Sequence, residues 1–480
     1  MTLLPPSITF QGRDWSGETL AVMATGWHAR VIERLPTMPD AVAVVARSHP
    51  ETFALLFALS ALPATVVLLH PEPSTWRSEP PFPTVMPVFL TPATAGFAPA
   101  LEKAGLRVIV LPAPGEGTGP PPAFFSTPGF VIFTSGSTGT PKPGFRSTRG
   151  LFHVVRAITE TYGLPRGARV AACLPLATSF GLGQNFLLPA YLGGHVGLLE
   201  RFDHRSLLNL FAQGEYDYWP GTALMADLLV RAPLHRGSPR APAICHISSG
   251  HVAEAVYHQF LARFGVPIRQ SYGRTECSFI TSDTSPVAEL QPETVGFPSP
   301  GVEIRCGETP ETAVPPGQPG RVWIRCPWHS EGYGYPPSVL RITQLDGWSG
   351  TEDVGTLTPE GRLILLGRLD DCFKTSGGYL VSPAQVANAL RAHPGVLDSV
   401  VVPVPLGGGA VIGVLVAARD GIGVTEIREI AGRTLPAWLQ PAIVAVRREI
   451  PALITGKHDR AAVIHLLETA HDPASPNAGS

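Results

Sequence analysis

Residues 130–142 read FVIFTSGSTGTPK. An apolar run, Phe130 to Phe133, passes into Thr134, Ser135, Gly136, Ser137, Thr138, Gly139 and Thr140, and Pro141 and Lys142 close the segment. The glycines let bare backbone approach an anion. The hydroxyls and backbone N–H groups can donate to phosphate oxygens, and the Lys ammonium adds a positive charge. It is not a Walker loop, because GxxxxGK followed by Ser or Thr is absent. Lys142 is informative in itself. Of 36 basic residues only four are Lys: Lys103, Lys142, Lys374 and Lys457. A chain so sparing of Lys keeps it where a compact ammonium serves and a planar guanidinium does not.

Four further segments follow in order. They are Tyr272-Gly273-Arg274-Thr275-Glu276, then Gly347-Trp348 with Thr351-Glu352-Asp353, then Gly367-Arg368-Leu369-Asp370-Asp371 with Lys374 and Gly377, and last Pro451 to Lys457 (PALITGK). With the loop, they resemble the ordered motifs of the adenylate-forming superfamily over about residues 129–461. That superfamily includes acyl-CoA synthetases, aryl-CoA ligases, firefly luciferase and the adenylation domains of nonribosomal peptide synthetases. Three of the four lysines fall on motif positions.

The resemblance implies roles residue by residue. Thr134 to Gly139 and Lys142 hold the phosphates of ATP. Tyr272 and Gly273 lie at the adenine, Thr275 contacts the α-phosphate, and Glu276 holds Mg²⁺. Asp353 and Arg368 bind the ribose hydroxyls. Asp370 is the hinge, and Lys457 is the catalytic lysine, with Thr275 and Glu276 sharing its site. The implied reaction is ATP-dependent activation of a carboxylic acid as an acyl-adenylate, with pyrophosphate release. Transfer to a thiol follows, either CoA or the phosphopantetheine of an acyl carrier protein. An acyl-AMP ligase restricted to a carrier protein or an amine, and an impaired nucleotide-binding homologue, are the alternatives.

The chemistry needs these residue types. A carboxylate and ATP repel each other, so cations and donors must neutralise the triphosphate before the acid oxygen reaches the α-phosphorus. A preorganised donor at the charge that develops is worth ~10²–10³-fold in rate. The acid is already ionised at pH 7, so no general base is required.

Five positions depart from the superfamily's pattern, two of them, Gln385 and Ala387 in the helix expected from Pro383, where Glu is usual and a structural role is expected. Pro143 stands where Gly is usual after Lys142, and Glu352 stands beside Asp353 where Gly is usual. Thr178, in Pro175-Leu176-Ala177-Thr178-Ser179-Phe180-Gly181, replaces a His or aromatic residue that guards the acid. The acid pocket is expected among Thr178, Phe180, Trp219, Gly221, Thr222, Ser249 and Gly250, and so few polar groups suit a fatty or aryl acid.

These residues must be carried by an α/β fold. Short Val/Ile/Leu-rich runs such as Ala41 to Ala46, Val170 to Leu174 and Ile244 to Ile247 alternate with helical patterns. That pattern predicts parallel sheets flanked by helices. Residues 295–366 predict a small β-rich subdomain, and the segment after Asp371 predicts a small mobile α+β domain. The expected domains are 1–369 and 371–480, with the hinge at Asp370.

Composition excludes other classes. Thirty-eight acidic against 36 basic residues leave a net charge of −2, which gives no general grip on nucleic acid. Phe53 to Leu69 is uncharged, but it is short for a membrane span and Pro63 breaks it. A buried helix followed by a buried strand is expected there, and no integral membrane segment. Six scattered Cys form no CxxC, which fits free thiols in the cytoplasm.

Overall fold

In the computed structural model the described residues are 3–72, 86–114, 120–134, 142–213, 215–233, 240–250, 252–377, 379–391, 393–406, 408–451 and 458–471. By its internal contacts the chain divides into two compact units. One is Met1–Glu303 with Arg325–Gly347, and the other is Ile304–Ile324 with Trp348–Ser480.

The first unit holds two large sheets. In one, the strands Arg107–Val110, Pro87–Leu90, Ala41–Val45, Thr65–Leu69 and Gly129–Thr134 run parallel, side by side. Three antiparallel strands extend it: Lys142–Ser147, Gly332–Tyr335 and Ser338–Arg341. The strands AVAVV and TVVLL are buried at every position, as strands covered on both faces must be. The second sheet has nine strands. Its parallel core runs Ile268–Tyr272, Ile244–Ser248, Tyr218–Thr222, Arg169–Ala172, His195–Leu198 and Ser7–Phe10, with antiparallel strands at both edges.

The uncharged stretch resolves as expected. Pro50–Ser60 is a helix, with Pro50 at its first turn, and only Glu51 of its residues is not fully buried. It packs against the helix Gly17–Arg34, and the rings of Phe53 and Phe57 meet Phe186 edge-on at 5.4 and 5.1 Å. A helix apolar on all sides is a core helix here. Among the described residues no helix is long and apolar enough to cross a membrane.

The second unit contains a four-stranded sheet in the order Glu303–Gly307, Gly320–Arg325, Trp348–Leu357, Leu363–Arg368. After it come the helix Pro383–Arg391 and a three-stranded sheet of Val396–Leu406, Gly409–Ala418 and Ile443–Arg447. Alternation along these strands makes two cores. Val401, Val414 and Val416 face Leu390 and Ile427, whereas Val402 and Leu415 face Val463 and Leu467. The β-rich part and the α+β part are thus both present. Contacts group them together, because Pro383–Arg391 lies on Leu363–Arg368 and the Ser382 hydroxyl donates to the Leu366 carbonyl.

Candidate active site

The phosphate-loop segment is a strand-to-strand connection. Thr134 ends one strand, Lys142 begins the next, and the two are paired in the antiparallel ladder. The ends of the connection are therefore fixed side by side, with Lys142 exposed. Residues 135–141, carrying Ser135, Gly136, Ser137, Thr138 and Gly139, lie outside the described residues, as does Lys457.

Tyr272 closes the strand Ile268–Tyr272 and is buried, paired opposite Thr281. The chain then turns sharply. A Cβ on Gly273 would lie 1.9 Å from the Ser278 carbonyl oxygen, so only glycine fits that position. The turn carries Thr275 and Glu276. The Tyr333 hydroxyl donates to Oε1 of Glu276, and the Arg274 Nε lies 3.4 Å from Oε2. The Glu276 side chain is 15% exposed. Burial alone would raise its carboxyl, but Arg274, the Tyr333 hydroxyl and His329 outweigh burial and hold it below its ordinary value. The carboxylate is therefore ionised at neutral pH.

That group fits a magnesium ion. Mg²⁺ takes hard oxygen ligands and is commonly held by one or two carboxylates together with substrate phosphates. Among the described residues no group of three or more His, Cys, Asp or Glu could hold a metal by itself.

In the second unit, Asp353 and Arg368 face each other across the strands Trp348–Leu357 and Leu363–Arg368, with Nη1 3.3 Å from Oδ1. The Asp353 backbone N–H donates to the Thr351 hydroxyl at 3.0 Å, which fixes the turn of chain before it. Glu352 points elsewhere, 3.5 Å from the Arg321 guanidinium and 43% exposed. Asp370 sits exposed in the short turn Leu369–Asp371. Just after residue 457, His458 Nε2 lies 2.8 Å from Asp398, and the Asp459 N–H donates to the Pro451 carbonyl at 2.9 Å.

Among the residues expected to form the acid pocket, Phe180 packs against the core that includes Trp219. Phe180 is half-buried, with its ring edge-on to His246 at 5.3 Å. The rings of Tyr162 and Phe279 lie 5.3 and 5.5 Å from the same imidazole. Ser249 and Gly250 are exposed in a turn with φ of +58° and +137°. Thr222 caps the helix Ala223–Arg231 through the Met225 N–H. Thr178 caps its own turn, accepting from Gly181 N at 2.9 Å and donating to Pro175 O at 2.8 Å. Trp219 and Gly221 fall on the other face of their strand by the two-residue alternation. Trp219 is wholly buried there, stacked on Phe260 at 6.1 Å and edge-on to Phe211 at 5.7 Å. A Cβ on Gly221 would meet the Trp219 ring at 2.5 Å.

Four residues at the site carry no motif. Arg146, Tyr333, Trp328 and Ser278 all bear on the Thr275–Glu276 turn. The one signal in the sequence was a charge, Arg146, inside an otherwise neutral stretch of strand after Lys142.

A family model described as AMP-binding enzyme matches residues 29–334. This chain belongs to the AMP-binding enzyme family. The match takes in the phosphate-loop segment, the Tyr272–Glu276 turn and Tyr333. Among sequence relatives, the long-chain-fatty-acid–CoA ligase of Escherichia coli O6:H1 is 27% identical over 339 residues, 68% of this chain and 60% of that enzyme. The feruloyl-CoA synthase of Amycolatopsis sp is 29% identical over 323 residues, 66% of this chain and 64% of that enzyme. The chain thus spans less than two thirds of these relatives' length. Among solved structures, apo MatB from Rhodopseudomonas palustris superposes with a TM-score of 0.76 at 21% identity, covering 98% of this chain and 96% of that one. The two chains share a fold.

Proposed function

We propose that this protein activates an apolar carboxylic acid with ATP, forming an acyl-adenylate and pyrophosphate, and then passes the acyl group to a thiol. The observation that carries this reading is the ionised Glu276 carboxylate on a turn tied by Arg146 to the strand that Lys142 begins. Two segments 129 residues apart are brought together, and each bears a group suited to triphosphate chemistry. The CoA-ligase names of the relatives agree with it.

In this mechanism Lys142 and the donors of residues 134–140 hold the phosphates. Glu276 holds Mg²⁺, which when bound neutralises phosphate charge. Tyr272 lies at the adenine, and Asp353 and Arg368 hold the ribose. A carboxylate oxygen of the acid attacks the α-phosphorus in line. The bond to the bridging oxygen breaks, and pyrophosphate leaves with the electron pair. Thr275 donates to the α-phosphate, and Lys457 meets the charge that grows between acid and phosphate. The mixed anhydride is then attacked at its carbonyl by a thiolate, and AMP departs. The chain turns about Asp370 between the two half-reactions, and the Thr375 to Tyr379 stretch borders the thiol's path. Phe180, Thr222, Ser249 and Gly250 border the acid, with the His246 imidazole against Phe180 and the rings of Tyr162 and Phe279 against that imidazole. Such a wall suits a fatty or aryl acid better than an amino acid. Six free thiols suit a reducing cytoplasm.

The test is acid-dependent pyrophosphate release, trapped with hydroxylamine, across fatty, aryl and amino acids. Fatty or aryl acids are expected to give hydroxamate, and Lys457→Ala to lose ~10²–10³-fold in rate. CoA and a carrier protein are then compared as acceptors. No pyrophosphate with any acid, while ATP still binds, would favour a nucleotide-binding protein without this activity.

A further inference from the structure

Arg146 lies on the strand Lys142–Ser147, four positions after the lysine that closes the phosphate-loop segment. It is 1% exposed. Its Nη1 donates to the Thr275 carbonyl oxygen and to the Ser278 hydroxyl at 2.8 Å. Its Nη2 donates to the Trp328 carbonyl at 3.1 Å. Ser278 in turn lies 3.0 Å, oxygen to oxygen, from Ser179, next to Thr178. The Trp328 indole N–H donates to the Cys277 carbonyl at 2.8 Å. Ser278 adopts φ +58°, a left-handed conformation that non-glycine residues rarely adopt.

These acceptors are neutral oxygens on two separate segments, the Thr275–Ser278 turn and Trp328. Burying a guanidinium is a costly way to fill space, and an apolar side chain would pack a strand more cheaply. What Arg offers is a planar fork of five N–H donors in fixed directions. It binds several carbonyls and hydroxyls at once, so their relative positions become rigid. Here they are the turn bearing Thr275 and Glu276, the Trp328 segment leading to Tyr333, and, through Ser278, the start of the Ser179–Phe180 segment.

We propose that Arg146 is a positioning residue: it locks the exit of the phosphate-loop segment to the Thr275–Glu276 turn and, through Ser278, to Ser179 beside the acid. The inference rests on the proposed reaction, in which Glu276 holds the metal and Phe180, next to Ser179, borders the acid. Its consequence is that the metal side and the acid side share one anchor. Loosening that anchor weakens both saturations together, without removing a group that touches substrate.

Arg146→Lys and Ser278→Ala test it. Lys keeps the charge and loses the fork. Ser278→Ala removes one hydroxyl from the relay and leaves the guanidinium in place. The measurements are kcat/KM for acid-dependent pyrophosphate release, half-saturating Mg²⁺, the acid KM, calorimetric Mg·ATP affinity and the unfolding midpoint. For Arg146→Lys, kcat/KM is expected to fall ~10²-fold, as for a reacting group misplaced by about 1 Å, with half-saturating Mg²⁺ raised about tenfold. For Ser278→Ala, half-saturating Mg²⁺ and the acid KM are expected to rise together by about 3–10-fold at an unchanged unfolding midpoint. The inference is overturned if both variants saturate with Mg²⁺ and acid as the wild type does. It is equally overturned if Arg146→Lys fails to fold while Ser278→Ala behaves as wild type, since Arg146 is then structural only. Should the wild type release no pyrophosphate at all, the reaction reading fails by itself. Calorimetry then decides this inference: Mg·ATP binding weakened about tenfold in Arg146→Lys supports it, and unchanged binding overturns it.

Discussion

His246 stands in a closed relay beneath Phe180. Tyr218 gives its single hydroxyl proton to Gln184 Oε1 at 2.7 Å, so it accepts from the Nδ1–H of His246. The remaining nitrogen, Nε2, then accepts from the Ser271 hydroxyl at 2.5 Å. Neither nitrogen has room for a second proton to be solvated, and burial pushes the imidazole down to about 3 from its ordinary 6.5. Between those two values the unfolded chain binds a proton that the folded chain refuses. Stability therefore rises with pH across that window, by about 1.4 kcal/mol per pH unit from this group, and levels off above pH 6.5. His246→Gln is predicted to flatten the dependence between pH 4.5 and 6.5 by that slope, measured by urea unfolding at a series of pH values. An unchanged slope would mean that His246 takes up its proton in the fold. At the proposed nucleotide site, Asp353→Asn keeps the shape and removes the charge beside Arg368. Losing a charge-assisted hydrogen bond worth about 1.5–3 kcal/mol predicts an ATP KM raised roughly 10- to 100-fold with kcat nearly kept. A matched loss in kcat would place Asp353 in the chemistry and not in binding.

The elements explain why some of the site was readable and some was not. The proposed phosphate-binding motif at residues 130–142 and the Tyr272–Glu276 motif are each contiguous in sequence, so the proposed chemistry of each is written within about a dozen residues. The contacts that set the turn are distant in sequence. Arg146 is 129 residues from Thr275, and Tyr333 is 57 residues from Glu276. Tyr333 lies beside the strand of Arg146 because Gly332–Tyr335 pairs with Lys142–Ser147, and strand order is not encoded by local periodicity. Trp219 is another such case. Read as a pocket wall, it lies one residue out of step with Tyr218 and turns into the helical core, while Tyr218 joins His246 on the opposite face. The hairpin that carries Tyr333 supplies a prediction at this scale. Tyr333→Phe removes the hydroxyl on Glu276 Oε1 and leaves the ring, so half-saturating Mg²⁺ should rise about 3–10-fold in a pyrophosphate-release assay. Mg²⁺ saturation like that of the wild type would show that the Tyr333 contact does not tune the carboxylate.

For the whole molecule, the alternation of apolar runs and helical patterns made the parallel sheets legible, and the Gly/Pro turns after residue 295 made the small sheet legible. The grouping of that small sheet with the residues after Asp370 was not legible, because it depends on one helix, Pro383–Arg391, lying on the strand Leu363–Arg368. The proposed hinge at Asp370 makes a separable prediction. Asp370→Pro fixes a backbone angle in the Leu369–Asp371 turn. Thioester formation should fall by about 10²-fold while adenylation keeps most of its rate. Equal losses in both steps would argue against a hinge there. The proposed reaction depends on one chemical claim, that the acid attacks the α-phosphorus of ATP. Carboxylate labelled with ¹⁸O tests it most directly, with the nucleotide and phosphate products read by mass spectrometry after hydroxylamine capture. The account predicts AMP carrying one labelled oxygen, with unlabelled pyrophosphate. ADP with the label in inorganic phosphate would contradict it, because attack would then be at the γ-phosphorus.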